Sequence, residues 1–119
     1  MAAGWSDQSR LDHWLQIELL AVQAWAELGK IPPEDAAACR ERASFTVDAV
    51  LEREALTRHD IAAFVDVVAA SIGPAGRWIH FGMTSSDVLD TGFALQPRAA
   101  AAQPLASAAT LPAVVKRRA

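Results

Sequence analysis

The chain has 119 residues, a hydrophobic fraction of 52% and a formal net charge of −3, with an isoelectric point near 5.5. That length allows one domain with a modest core, and the acidic balance gives no basic field for nucleic acid or an anionic membrane. No apolar run approaches the roughly 18 residues of a membrane span, and Met1 to Trp5 lack the charged and apolar regions of a signal peptide, so a soluble protein is expected. The one cysteine, Cys39, has no His or Asn beside it. It reads as a structural thiol in a reducing cytoplasm rather than as a nucleophile.

Taken in order, Ser6 or Asp7 caps a first helix that runs to about Leu28 and stops at Gly29. Leu11, Trp14, Leu15, Leu19, Val22 and Ala26 recur at helical spacing along one apolar face. Trp25 widens that face, Trp5, Trp14 and Trp25 read as core, and His13 falls on the polar side. Pro32 and Pro33, followed by Glu34 and Asp35, open a second helix with Arg40 and Arg42 near its end. A break at Phe45–Asp48 leads to a third helix, from Val47 to Leu56, with Val50 and Leu51 expected to face inward. Asp60 is the expected cap of a fourth, Ile61 to Ser71, ended by Gly73 and Pro74.

Two clusters carry chemistry. Thr57-Arg58-His59-Asp60 places an imidazole between a cation and an acid just ahead of a helix, and residue types alone leave His59 open between a structural and a site role. The run from Gly76 to Thr91 holds Arg77, Trp78, His80, the hydroxyls of Thr84, Ser85 and Ser86, and Asp87 and Asp90. Ser85 or Ser86 is the expected N-cap, with Thr84 and Asp87 at capping-box spacing. Ser-Ser-Asp alone reads first as a cap. A cap does not need Arg, Trp and His upstream, however, and hydroxyls at a helix N-terminus suit an anion. No zinc spacing, P-loop or dinucleotide fingerprint is present, so no metal or cofactor is expected.

After Gln96 the chain becomes rich in alanine, interrupted by Pro97, Pro104 and Pro112. Interior proline costs a helix ~3 kcal/mol or more, which argues against one continuous helix through this segment. Residues 1–96 are therefore expected to form the domain, and 97–119 a poorly packed tail in which Leu105 and Leu111 lack partners on their own face.

These motifs together resemble adenylosuccinate lyase, of the fumarase/aspartase superfamily, in its N-terminal helical domain. The resemblance runs through Trp5-Ser6-Asp7, Trp14-Leu15-Gln16-Ile17-Glu18, Ala26-Glu27-Leu28-Gly29, Ile31-Pro32, Thr57-Arg58-His59-Asp60 and Ala63-Phe64, and is strongest from Gly76 to Thr91. It implies an all-α fold and a β-elimination that releases fumarate from adenylosuccinate, giving AMP, and from the succinylated carboxamide ribotide of purine synthesis. A base removes a proton beside a carboxylate, and an acid protonates the departing nitrogen. By this resemblance Arg58, His59 and Asp60 line the substrate site, with His59 an auxiliary catalytic residue. Thr84 and Ser85 hold a substrate carboxylate, with Ser86 and His80 as neighbours. The resemblance also implies small-molecule nucleotide partners and a homotetramer, each site being built from three subunits.

The family's phosphate-binding Arg-Tyr pair, its general-acid His in a Gly-Arg-Thr-His segment, its signature loop and its long central helices are all expected to lie outside this sequence. The segment from Pro97 to Pro112 departs from the leucine-rich helix of the family, as a compensated pair of reading-frame shifts would make it. The competing reading is a non-catalytic helical module that docks on a full-length lyase or on itself. An anion-binding helical domain with no family relation is the third.

Overall fold

The computed structural model describes residues 5–118; of the side chains of 99, 102, 103, 110, 111, 113–115, 117 and 118 nothing is described. It is all-α, with no strand among the described residues: α1 Asp7–Glu27, α2 Pro33–Arg42, α3 Val47–Thr57, α4 Asp60–Ile72, a 3₁₀ turn Pro74–Trp78 and α5 Ser85–Arg118. No helix among the described residues is long and apolar enough to cross a membrane.

Local chemistry accounts for most of the boundaries. The Ser6 hydroxyl accepts from the Ser9 N–H at 3.1 Å and starts α1. Gly29, at φ +73, ends it after Leu28. Pro32 and Pro33 open α2, and Thr46 caps α3 by accepting from the Ala49 N–H at 3.2 Å. α4 departs from expectation by one residue: His59, not Asp60, is its N-cap, with Nδ1 accepting from the Ala62 N–H at 3.2 Å.

The core forms where α1, α2, α3, α4 and the start of α5 meet, around Leu11, Trp14, Val22, Val50, Ile61, Phe64, Val68, Ile72 and Val88. Phe64 stands edge-on to Trp14 (5.6 Å between centroids) and to Phe45 (5.5 Å). Arg53 on α3 pairs with Asp66 on α4 at 2.7 Å, a half-exposed contact of minor energetic weight. Two inward assignments fail, those of Trp5 and Leu51, and one outward assignment, that of His13, fails as well. Trp5 is 50% and Leu51 44% exposed, while His13 is half-buried, with Nδ1 lacking a partner. Leu51 follows Val50 directly, and two adjacent helical residues cannot both point at a core that occupies one stripe.

Cys39 is 0% exposed, and its thiol donates to the Ala75 carbonyl at 3.4 Å. Burial, with Asp35 adding to it, pushes the thiol pKa up, so the thiolate is scarce in the folded state. Disulfide-exchange labelling at pH 8 is expected to proceed no faster than unfolding. Reaction at the rate of a free thiol would contradict this burial.

The tail corrects the sequence reading: α5 runs unbroken through Pro97, Pro104 and Pro112. The prolines are spaced by 7 and 8 residues (97, 104, 112), so they fall on one side of a helix, and all three are exposed. The carbonyls four residues earlier, which lose their donors, lie on that same side, and alanine elsewhere favours helix. Gly92 lets the first part of α5 lie against α1, where an added Cβ would sit 2.9 Å from Trp14 Cδ1. Farther on, Ala101, Pro104, Leu105 and Ser107 are exposed, and the expectation for Leu111 falls outside the described side chains. The projecting helix raises the radius of gyration to 18.5 Å, against about 13.5 Å for a compact chain of this length.

Candidate substrate site

The loop between the 3₁₀ turn and α5 is clamped from α1 at two points. Glu18, wholly buried, takes the His80 N–H on Oε2 and the His80 ring on Oε1, each at 2.7 Å. About two turns on, the Trp25 indole N–H donates to the Phe81 carbonyl at 3.1 Å. Gly82, at φ +70, brings the backbone onto the same ring, where an added Cβ would meet Trp25 Cζ2 at 2.8 Å. Phe81 stands edge-on to both Trp25 and Trp78. The indole of Trp78 donates to Asp35 Oδ2 at 2.7 Å, an oxygen that Arg77 shares at 3.2 Å.

The clamped loop delivers the chain into α5. Thr84 immediately precedes the helix, and Asp87 Oδ2 reaches back to its N–H at 2.8 Å. Half of the expected capping box is therefore formed, because the Asp87 N–H bonds the Thr84 carbonyl at 3.0 Å and not its hydroxyl, and the N-cap position belongs to Thr84. Ser85 and Ser86 are instead the first two helical residues. Among the described residues, the hydroxyls of Thr84, Ser85 and Ser86 have no hydrogen-bond partner. Thr84 and Ser86 are exposed and Ser85 half-buried.

The second cluster is the α3–α4 corner. Arg58 ends α3 in the left-handed region at φ 54, its side chain exposed and without a partner among the described residues. His59 accepts through Nδ1, so its hydrogen is on Nε2. The 3.6 Å approach of that same Nδ1 to Asp60 Oδ1 is therefore proximity and not an ion pair. Asp60 Oδ1 accepts instead from the Ile61 N–H at 2.7 Å. No hydrogen bond or ion pair joins this corner to the loop among the described residues.

One backbone feature does link the two clusters. Among the described residues, Arg58 (φ 54) and His80 (φ 66) are the two non-glycine residues with positive φ. Such a conformation costs an L-residue about 1 kcal/mol or more, and strain of this kind concentrates where function fixes a side chain. A separate groove of about 680 Å³ between α1 and α2, lined by Leu15, Leu19, Leu20, Ala26, Pro33 and Ala36, contains none of the candidate residues.

Sequence reasoning missed Glu18, Trp25 and Asp35 as parts of this site. The signal for Glu18 was present: it lies on the stripe of Leu11, Trp14 and Val22, an acid where the pattern requires an apolar residue.

No family model matches the chain. It is 50% identical over 93 residues to adenylosuccinate lyase of Streptococcus mutans, covering 78% of this chain and 22% of that one. To the adenylosuccinate lyase of Bacillus subtilis it is 50% identical over 91 residues, covering 76% and 21%. For Staphylococcus saprophyticus the identity is 46% over 87 residues, covering 73% and 20%. The chain thus spans about a fifth of the length of these relatives. Its fold matches a crystal structure of fumarate lyase from Mesorhizobium sp. BNC1 with a TM-score of 0.74 at 27% identity, over 82% of this chain and 24% of that one. Over about three quarters of its length this chain is therefore a homologue of part of adenylosuccinate lyase, folded like part of a fumarate lyase.

Proposed function

We propose that this chain supplies one wall of the substrate site of an adenylosuccinate lyase, a carbon–nitrogen lyase that releases fumarate by β-elimination. The observation that carries the reading is the pair of positive-φ residues, Arg58 and His80, one in each cluster that the resemblance assigns to substrate. Adenylosuccinate carries a phosphate and two carboxylates, so its site needs cations and hydrogen-bond donors. Arg58 offers a guanidinium with no partner among the described residues. Thr84, Ser85 and Ser86 offer hydroxyls, and the first turn of α5 adds N–H groups and the positive end of its dipole. His59 serves as an auxiliary catalytic residue, while Asp60, engaged by the Ile61 N–H, steadies the corner. The cytoplasm, from the lone reduced thiol, and a homotetramer, from the resemblance, are the setting we propose for it.

Titration of the purified chain with AMP and with fumarate tests this reading. Arg58→Ala is expected to weaken binding of at least one of them by about tenfold or more, because hydrogen bonds to charged groups contribute ~1.5–3 kcal/mol. Ser85→Ala removes a neutral donor and is expected to cost several-fold. Equal affinity in the wild type and both variants would overturn the assignment.

A further inference from the structure

We propose that Glu18 is a positioning residue that fixes His80 with its hydrogen on Nδ1, so that the two histidines of the site offer opposite faces to a ligand. With both rings neutral, His80 presents a lone pair at Nε2, and His59 an N–H at Nε2. The proposal rests on the reading above that both belong to one substrate site.

Glu18 lies on the core side of α1 between Trp14 and Val22 and is 0% exposed. A carboxylate there has no water to solvate it and needs donors from the protein. Among the described residues its donors come from one residue: the His80 N–H on Oε2 and His80 Nδ1 on Oε1, both at 2.7 Å. An ionised carboxylate only accepts, so Nδ1 carries the hydrogen. Among the described residues Nε2 has no partner, and it is not one of their buried unpaired atoms. The backbone bond also holds a residue at φ 66, so it anchors the main chain while the ring bond sets the side chain. Exchanging the ring nitrogens would leave a buried carboxylate oxygen without its donor.

At His59 the local contact acts the other way. Nδ1 accepts from the Ala62 N–H, which an N–H at that position could not do. A ligand spanning both clusters therefore meets one acceptor and one donor, which orients it between them. Each sense is set by a contact inside this chain.

Long-range nitrogen–proton NMR of the wild-type chain, at a pH where both rings are neutral, reads each tautomer directly. His80 is expected in the Nδ1–H form and His59 in the Nε2–H form. An Nε2–H or averaged His80 ring overturns the proposal and needs no variant. In Glu18→Gln, an isostere with one acceptor oxygen in place of two, the His80 nitrogen shifts are expected to move toward the averaged values of a free imidazole while those of His59 stay fixed. A fall in Tm with unchanged His80 shifts would make Glu18 merely structural and also overturn the proposal.

AMP and fumarate titrations complete a double-mutant cycle. Glu18→Gln and His80→Ala should each weaken binding about tenfold, and the double variant should be no weaker than His80→Ala alone. Additive losses would overturn the coupling. If the wild type keeps both tautomers but binds neither ligand, the site reading fails and the role of Glu18 in fixing His80 stands.

Discussion

Purified alone, the 119-residue chain is expected to release fumarate from adenylosuccinate at least about 10⁴-fold more slowly than a complete adenylosuccinate lyase. An elimination of this kind needs a base and an acid on opposite faces of the breaking bond, each within hydrogen-bond reach, and each is worth roughly 10²–10⁴-fold. His59 and His80 are the imidazoles that this chain brings to the site, and each has Nδ1 held in a hydrogen bond within the chain. By the resemblance, the principal acid and the signature loop lie on segments outside this sequence. The assay follows fumarate absorbance with the chain alone, and then with a Bacillus subtilis adenylosuccinate lyase lacking the matching stretch. Restored turnover on mixing identifies a complementing piece of the enzyme. Binding to the truncated lyase without turnover favours a docking module, and fumarate release by the chain alone at the rate of a complete lyase overturns the proposal.

The parts of this molecule set by neighbouring residues were legible in the sequence. Ser6, Gly29, Pro33 and Gly73 act within a turn of where they stand, and helices begin and end on them. The buried positions of α4, Ile61, Phe64, Val68 and Ile72, follow from helical spacing alone. What was missed depends on pairing across the chain. Glu18 and His80 are 62 positions apart, Asp35 and Trp78 are 43, and Trp25 and Phe81 are 56. No local pattern announces such partners; the acid on an apolar stripe showed only that Glu18 needed one. The shifts of the caps to His59 and Thr84 follow from contacts that residue types do not rank. At α4 the His59 ring accepts the Ala62 N–H while Asp60 accepts only from the next residue, and at α5 the Asp87 carboxylate, not a hydroxyl, reaches the Thr84 N–H. Continuity of α5 past three prolines was misjudged because each was weighed singly, whereas their common side leaves the rest of the ladder intact.

Phe64→Ala is expected to remove most of the stability of the chain. Phe64 is 0% exposed and links Trp14 on α1 to Phe45 in the α2–α3 connection through edge-on contacts at 5.6 and 5.5 Å. Truncating a buried Phe to Ala costs ~3–5 kcal/mol, through lost transfer energy and the cavity left behind. A domain of this size holds only ~5–15 kcal/mol in total. This one also carries a helix whose described outer side chains are exposed and contribute little to the core. At about 4 °C per kcal/mol, the midpoint is expected to fall by roughly 12–20 °C, with a matching drop in the urea midpoint at unchanged slope. Phe93→Ala is the control: Phe93 is 65% exposed on α5, and surface changes of this kind stay within about 0.5 kcal/mol. If the two variants unfold within a few degrees of each other, Phe64 is not the centre of the core, and the packing of α1 against α4 that holds Glu18 and Trp25 beneath the loop must be drawn differently.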